Sequence, residues 1–341
     1  MPRFGILTSG GDCPGLNAVI RSAYIRVTRE HGGSLVGFRN GWRGILDNDA
    51  IDVTEDMTRG IAGQGGTILG TSRTNPTEGD DALARVRHSL DVNSLDGLIA
   101  IGGEGSLSAA HALSRAGINV VGVPKTIDND LNGTDYSFGF DTAVQIATDA
   151  MDRLLTTGAS HGRCMIAEVM GRNSGWIALH AGIATGAHAV LIPEHHVSLD
   201  QIVEWVDSAK HRGQPALIVV AEGFPLEDGG VYNPRGSEAS GRPRLGGIGE
   251  RLAPLVEERT GIETRATTLG HIQRGGTPTA YDRVLAARFG AAAVDAAVSA
   301  EWGQMVALAG ERIVRADLAE AIGSVKRISA ERYRRASVCF G

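Results

Sequence analysis

Leu98-Ile99-Ala100-Ile101-Gly102-Gly103-Glu104-Gly105-Ser106 is the stretch that decides the fold of this chain. Four consecutive apolar residues leave no polar face, which suits a strand covered on both sides. The glycines that follow open a loop, and helical periodicity then runs to about Ala116. The same plan stands near the N-terminus, where Phe4-Gly5-Ile6-Leu7 leads into Thr8-Ser9-Gly10-Gly11-Asp12-Cys13-Pro14-Gly15-Leu16-Asn17 and a helix through about Glu30. It recurs where Val120-Val121-Gly122-Val123 gives way to Pro124-Lys125-Thr126-Ile127-Asp128-Asn129-Asp130, with a helix predicted over 142–155. Repeated strand, loop and helix specify an α/β chain with mainly parallel sheets, in which ligands bind beyond the carboxyl ends of the strands. All three loops occupy that position and are expected to converge on one cleft.

A second set of elements follows. Strands are predicted over 165–169, 189–192 and 217–221, and helices over 174–185, 200–212 and 248–260. The stretch 226–245, rich in Gly, Pro, Ser and charge, reads as a surface excursion. No linker is long enough to separate independent domains. The expected architecture is therefore two similar three-layer α/β units with the active-site cleft between them.

The composition excludes several classes of function. At 341 residues and 42% apolar content the chain can build sizeable cores. Its 33 basic and 39 acidic residues leave a net charge of -6, so there is no global positive field for nucleic acid or an anionic membrane. No apolar run approaches the roughly 20 residues that span a bilayer, and Met1-Pro2-Arg3-Phe4 leads straight into a strand. Three cysteines, Cys13, Cys164 and Cys339, have no metal spacing and fit a reducing compartment, so a cytosolic location is expected. Glycine, at 47 residues, is about twice as frequent as the usual ~7% and gathers where strands meet helices.

Loops of this kind suit phosphate capture, because backbone N–H groups reach oxygens where side chains are missing and the following helix adds its positive end. They also suit plain tight turns. Neither loop is a Walker A sequence or a dinucleotide fingerprint. Glu104 would repel a phosphate unless a divalent cation stood between them, which assigns it to Mg²⁺. The loop 124–130 offers two carboxylates, a hydroxyl, an amide and an ammonium, enough to take a proton and neutralise a phosphoryl group in flight, although its residues are also those of ordinary turns. Arginines cluster in His161-Gly162-Arg163, Met170-Gly171-Arg172-Asn173, Thr264-Arg265 and His271-Ile272-Gln273-Arg274-Gly275-Gly276, a residue type fitted to bidentate phosphate recognition. Glu222, at a strand end, suits either sugar hydroxyls or solvent.

Taken together, Gly10-Gly11-Asp12-x-Pro14-Gly15-x-Asn17, Gly102-Gly103-x-Gly105-Ser106, Thr126-Ile127-Asp128-Asn129-Asp130, Met170-Gly171-Arg172 and Gly270-His271-Ile272-Gln273-Arg274-Gly275-Gly276 resemble the 6-phosphofructokinases, in order and in spacing, from residue 4 to about 300. That family transfers a phosphoryl group to the 1-hydroxyl of fructose 6-phosphate, giving fructose 1,6-bisphosphate. The resemblance implies a larger nucleotide-binding domain, 1–139 plus about 273–323, and a smaller sugar-phosphate domain, about 140–272 plus 324–341. Asp128 resembles the proton acceptor, with Thr126, Ile127 and Asp130 beside it and Arg172, after Met170 and Gly171, as a substrate and transition-state contact. Arg163 and Arg265 match arginines that the family supplies to a neighbouring subunit's sugar phosphate, so a homo-oligomer, dimer or tetramer, is implied. His271, Ile272, Gln273 and Arg274 match own-subunit contacts, and Glu222 the sugar-binding glutamate. Gly11, Arg73, Thr74, Gly103, Glu104, Gly105 and Ser106 match the ATP site.

Departures from the family pattern bear on the donor. Lys125 resembles the Pro-Lys-Thr-Ile-Asp of pyrophosphate-dependent members, whereas ATP-using bacterial members have Pro-Gly-Thr-Ile-Asp. Gly105 points the other way, since pyrophosphate users tend to carry Asp there, crowding the α-phosphate. A carboxylate beside nucleotide phosphates excludes more firmly than a flexible ammonium selects, so ATP is the expected donor, with Lys125 as a transition-state cation and pyrophosphate as the alternative. Ile25 and Arg212-Gly213-Gln214-Pro215 replace basic residues of allosteric relatives, which argues against an ADP-type effector site of the same build. Two further alternatives are a non-catalytic sugar-phosphate-binding subunit, which would be expected to have lost Asp128, and a lipid or NAD kinase, whose loop would not require 126–130. The basic tail residues Lys326, Arg327, Arg332, Arg334 and Arg335 read as a solvated helix face.

Overall fold

The computed structural model describes residues 1–225 and 245–340, so 226–244 of the expected excursion lies outside the described residues. Among the described residues eleven strands form two sheets: β1 Arg3–Thr8, β2 Ser34–Phe38, β3 Ala50–Asp52, β4 Gly97–Gly102, β5 Val120–Pro124, β6 Cys164–Val169, β7 Ala189–Leu191, β8 Leu217–Ala221, β9 Thr264–Thr268, β10 Gln304–Ala309 and β11 Arg312–Asp317. The chain divides into two compact units, the first of Met1–Thr142 with Arg274–Val325 and the second of Ala143–Gln273 with Lys326–Gly341.

In the first unit the sheet order is β11-β10-β5-β4-β1-β2-β3. β2, β1, β4, β5 and β10 run parallel, and antiparallel partners β3 and β11 close the two edges. Every residue of β4 is buried, which explains a strand with no polar alternation. Its Leu98 and Ala100 join Leu7, Phe38, Trp42 and Met305 in one core. The second unit holds a four-stranded parallel sheet, β7-β8-β6-β9, with Ile166, Ile218 and Val220 packed on Ile202, Val206, Leu252 and Val256 from two helices. The α/β class with mainly parallel sheets is the one expected from sequence. Among the described residues no helix is long and apolar enough to cross a membrane.

Several local expectations needed correction. The helix predicted over 142–155 runs Phe140–His161, and in its added last turns the Thr156 and Ser160 hydroxyls donate to the carbonyls of Arg153 and Thr156. The helix predicted from 174 starts at Trp176, where the Glu194 carboxylate takes the Gly175 amide at 3.0 Å. β9, Thr-Arg-Ala-Thr-Thr, has too little apolar character to be read as a strand and is held by register with β6. The basic tail is not wholly a solvated face: the Arg332 guanidinium lies 4.5 Å, and the Lys326 ammonium 5.7 Å, from the centre of the Trp176 ring.

Candidate functional site

Strand order explains why the first unit's loops meet. β5, β4 and β1 are adjacent and parallel, so the loops at their carboxyl ends share one edge of the sheet. They are stitched there by backbone bonds, Ser9 N–H to Ile101 O and Lys125 N–H to Gly102 O, both 2.9 Å. Arg73 and Thr74 approach the same edge, since Gly10 N–H donates to Ser72 O at 2.9 Å and Ser72 Oγ lies 3.3 Å from Thr74 Oγ1. Gly103 precedes the helix Glu104–Arg115 at the end of β4, with Glu104 and Gly105 exposed and Ser106 buried. A Cβ at Gly105 would meet nothing within 4 Å.

Lys125 is only 4% exposed, and its ammonium donates to the Gly11 carbonyl. Burial pushes its pKa below the ordinary value. Arg274 Nη1 donates to Asp12 O at 3.3 Å, and a Cβ at Gly11 would stand 2.8 Å from that nitrogen. Two cations thus flank the Gly11 loop. Cys13, between them, is fully buried with its thiol pushed up by burial, the behaviour of a core filler.

Thr126 ties the acidic loop together. Its hydroxyl accepts the Asp128 amide at 3.1 Å and donates to Asp130 Oδ1 at 3.2 Å. Asp130 is pushed up to about 6, first by burial, then by the charge of Asp128, with Glu104 adding to it. Asp128 and Glu104 thus both act electrostatically on Asp130. Ile127 is fully buried, so only its backbone faces the loop.

In the second unit β8, β6 and β9 are adjacent and parallel, and their carboxyl ends carry Glu222, the Met170-Gly171-Arg172 run and the 3₁₀ turn Gly270–Arg274. Glu222 N–H donates to Val169 O at 2.9 Å and Gly223 N–H to Gly171 O at 3.1 Å, joining two of these ends. Gln273 is fully buried and points inward: its Oε1 takes the Met170 amide at 3.3 Å and its Nε2 donates to Gly270 O at 3.0 Å. His271 and Ile272 are exposed.

Arg163 and Arg265 stand at the other end of this sheet. Arg163 precedes β6, and Arg265 is the second residue of β9, opposite Met165. A six-residue strand separates them from Arg172 by roughly 17–20 Å at ~3.3 Å per residue. Both meet Glu263: Arg163 Nε lies 2.9 Å from one carboxylate oxygen and Arg265 pairs with the other. The Glu263 carboxyl is held below its ordinary pKa, chiefly by Arg163. A cavity of about 550 Å³ adjoins Arg265, lined also by Glu250, Glu257, Glu258 and Thr264. Sequence reading passed over Glu263; its spacing of two from Arg265, on the same face of an extended segment, was the available signal.

The model of the phosphofructokinase family matches residues 3–297. The chain is 54% identical over 340 residues to a pyrophosphate--fructose 6-phosphate 1-phosphotransferase of Amycolatopsis methanolica, covering 99% of this chain and 100% of that protein. It is 50% identical to ATP-dependent 6-phosphofructokinase 3 of Streptomyces coelicolor, covering 98% of each. Among solved structures, T-state phosphofructokinase of Pichia pastoris superposes with a TM-score of 0.84 at 30% identity; the match covers 94% of this chain and 35% of the other, so this chain spans about a third of it. The chain belongs to the phosphofructokinase family.

Proposed function

We propose that this phosphofructokinase transfers the γ-phosphoryl group of ATP to the 1-hydroxyl of fructose 6-phosphate, giving fructose 1,6-bisphosphate and ADP, a glycolytic reaction of the cytosol. The observation that carries ATP is the open space at Gly105, on the first turn of the helix after β4. A nucleotide's α-phosphate can approach backbone amides there, at the positive end of the helix. Gly11, Arg73, Thr74, Gly103, Glu104 and Ser106 complete the donor site in this reading.

Asp128 accepts the hydroxyl proton while Thr126 holds its backbone amide. Lys125 and Arg172 offset charge on the group in transfer, and Asp130 lies beside the reacting centre. The sugar phosphate is assigned to Met170, Gly171, Glu222, His271, Ile272, Gln273 and Arg274, with Ile127 contributing backbone. Mg²⁺ fits the donor set: Glu104, Asp128 and Asp130 raise the local negative charge, and a cation that keeps most of its waters needs only one or two carboxylates besides phosphate oxygens. Glu104 would hold it, and it supplies charge neutralisation to the donor phosphates.

The placement of Arg163 and Arg265 at the far ends of β6 and β9 supports a homo-oligomer in which they serve a neighbouring copy's sugar phosphate, because one chain does not bring them to its own strand ends. Pyrophosphate as donor is a second reading, favoured by Lys125 and by the name of the Amycolatopsis relative. Turnover of the purified protein on fructose 6-phosphate with each donor tests the choice. A kcat/KM higher with ATP supports the first reading, and turnover confined to pyrophosphate overturns it.

A further inference from the structure

Asn129, between Asp128 and Asp130, has a left-handed backbone with φ of 49°. Asn adopts this region more readily than other side-chain-bearing residues. It is 3% exposed, and its side chain clips onto a neighbouring segment: Oδ1 takes the Ser137 amide at 3.1 Å and Nδ2 reaches Asp135 O at 3.5 Å. The clip is anchored to the sheet, because Asp135 N–H donates to Leu308 O of β10 at 2.8 Å. Ser137 closes the circuit, donating from Oγ to Thr126 O at 2.7 Å, and Thr126 bonds both the Asp128 amide and the Asp130 carboxylate. A turn alone would need only the left-handed backbone. The buried amide adds two side-chain bonds that turn a flexible acidic loop into a braced one.

We propose that Asn129 is a positioning residue for phosphoryl transfer, clamped to 135–137 so that the carboxylates flanking it are aimed by the sheet rather than by the loop. This rests on the reading of Asp128 as proton acceptor. Asp128 and Asp130 are separated by one residue, so the backbone of Asn129 sets the direction in which each carboxylate leaves the loop. A displacement of about 1 Å at a reacting group can cost on the order of 100-fold in rate.

The test compares Asn129→Gly, which keeps left-handed backbone freely and loses the side-chain clips, with Ser137→Ala, which leaves the Ser137 amide on Asn129 and cuts only the Oγ link to Thr126 O further round the circuit. Steady-state kinetics on fructose 6-phosphate and a thermal melt are measured for each, with Asp128→Ser alongside. The expected result for Asn129→Gly is a kcat lower by on the order of 10- to 100-fold with both KM values nearly unchanged, the signature of a loss confined to the transition state. Ser137→Ala should lose less, and the double variant should lose less than the product of the two, since both cut one circuit. A folded Asn129→Gly enzyme with unchanged kcat overturns the proposal, and where Asn129→Gly fails to fold, unchanged kcat in a folded Asn129→Ser enzyme, whose side chain is too short for the clips to Ser137 and Asp135, does the same. If Asp128→Ser itself keeps turnover, the proton-acceptor reading fails first.

Discussion

Replacing Gly105 with Asp should abolish efficient use of ATP while leaving the fold intact. Gly105 is the second residue of the helix Glu104–Arg115, exposed, and a Cβ there meets nothing within 4 Å, so the first atom of the new side chain enters open space. An acid in the first helical turn is favoured by about 0.3–1 kcal/mol, and losing a helical Gly adds a few tenths more. The melting temperature should therefore hold or rise. Its charge, however, would stand beside the donor phosphates. Two unit charges about 4 Å apart repel by about 4 kcal/mol at an effective dielectric constant of about 20, equivalent to a factor on the order of 10³. The assay is kcat/KM for ATP and for pyrophosphate at saturating fructose 6-phosphate, with a thermal melt as control. Loss of about 10³ with ATP and a smaller loss with the shorter pyrophosphate is expected. A folded variant with parental ATP kinetics would refute the argument, because the phosphates would then lie elsewhere.

Asp128→Ser should lower kcat by about 10² to 10⁴, the range for a general base, with fructose 6-phosphate binding retained when titrated calorimetrically. Arg163→Ala with Arg265→Ala should raise the KM for fructose 6-phosphate; co-expressing that chain with Asp128→Ser should regain activity through hybrid sites, and no regain would exclude sharing between subunits. Asp282, fully buried, takes the Thr142 amide and hydroxyl at 2.8 and 2.6 Å and is pushed up from 3.8 to about 6 by burial. A raised acid stabilises the fold below its unfolded pKa and loses that contribution as pH rises through the folded one, here on the order of 3 kcal/mol across the window from about 4 to 6. Asp282→Asn keeps an acceptor for Thr142, so its melting temperature relative to the parent should climb between pH 4 and pH 7; a pH-independent difference would show that Asp282 does not titrate there.

Which polar groups end each strand was legible in sequence because strands buried on both faces read as unbroken apolar runs, and the loops that follow keep those groups close together in the chain. Gly105, Lys125, Asp128 and Arg172 stand at such strand ends, and their expected roles come from the resemblance to the phosphofructokinases rather than from local reading. Positions decided by long-range pairing did not. β9 is a strand only because it registers with β6, and the pairing of Arg163 and Arg265 on Glu263 joins segments about a hundred residues apart. Asn129 carried a visible side chain with no visible role, since its clip to Ser137 depends on a segment held by β10. The amino acids by themselves determine which groups are available at the strand ends, through local periodicity and loop chemistry. Only the tertiary structure decides their aim, because strand order sets which loops are neighbours, and burial leaves the Lys125 ammonium to the Gly11 carbonyl and, with the charge of Asp128, raises the Asp130 carboxyl above its ordinary range.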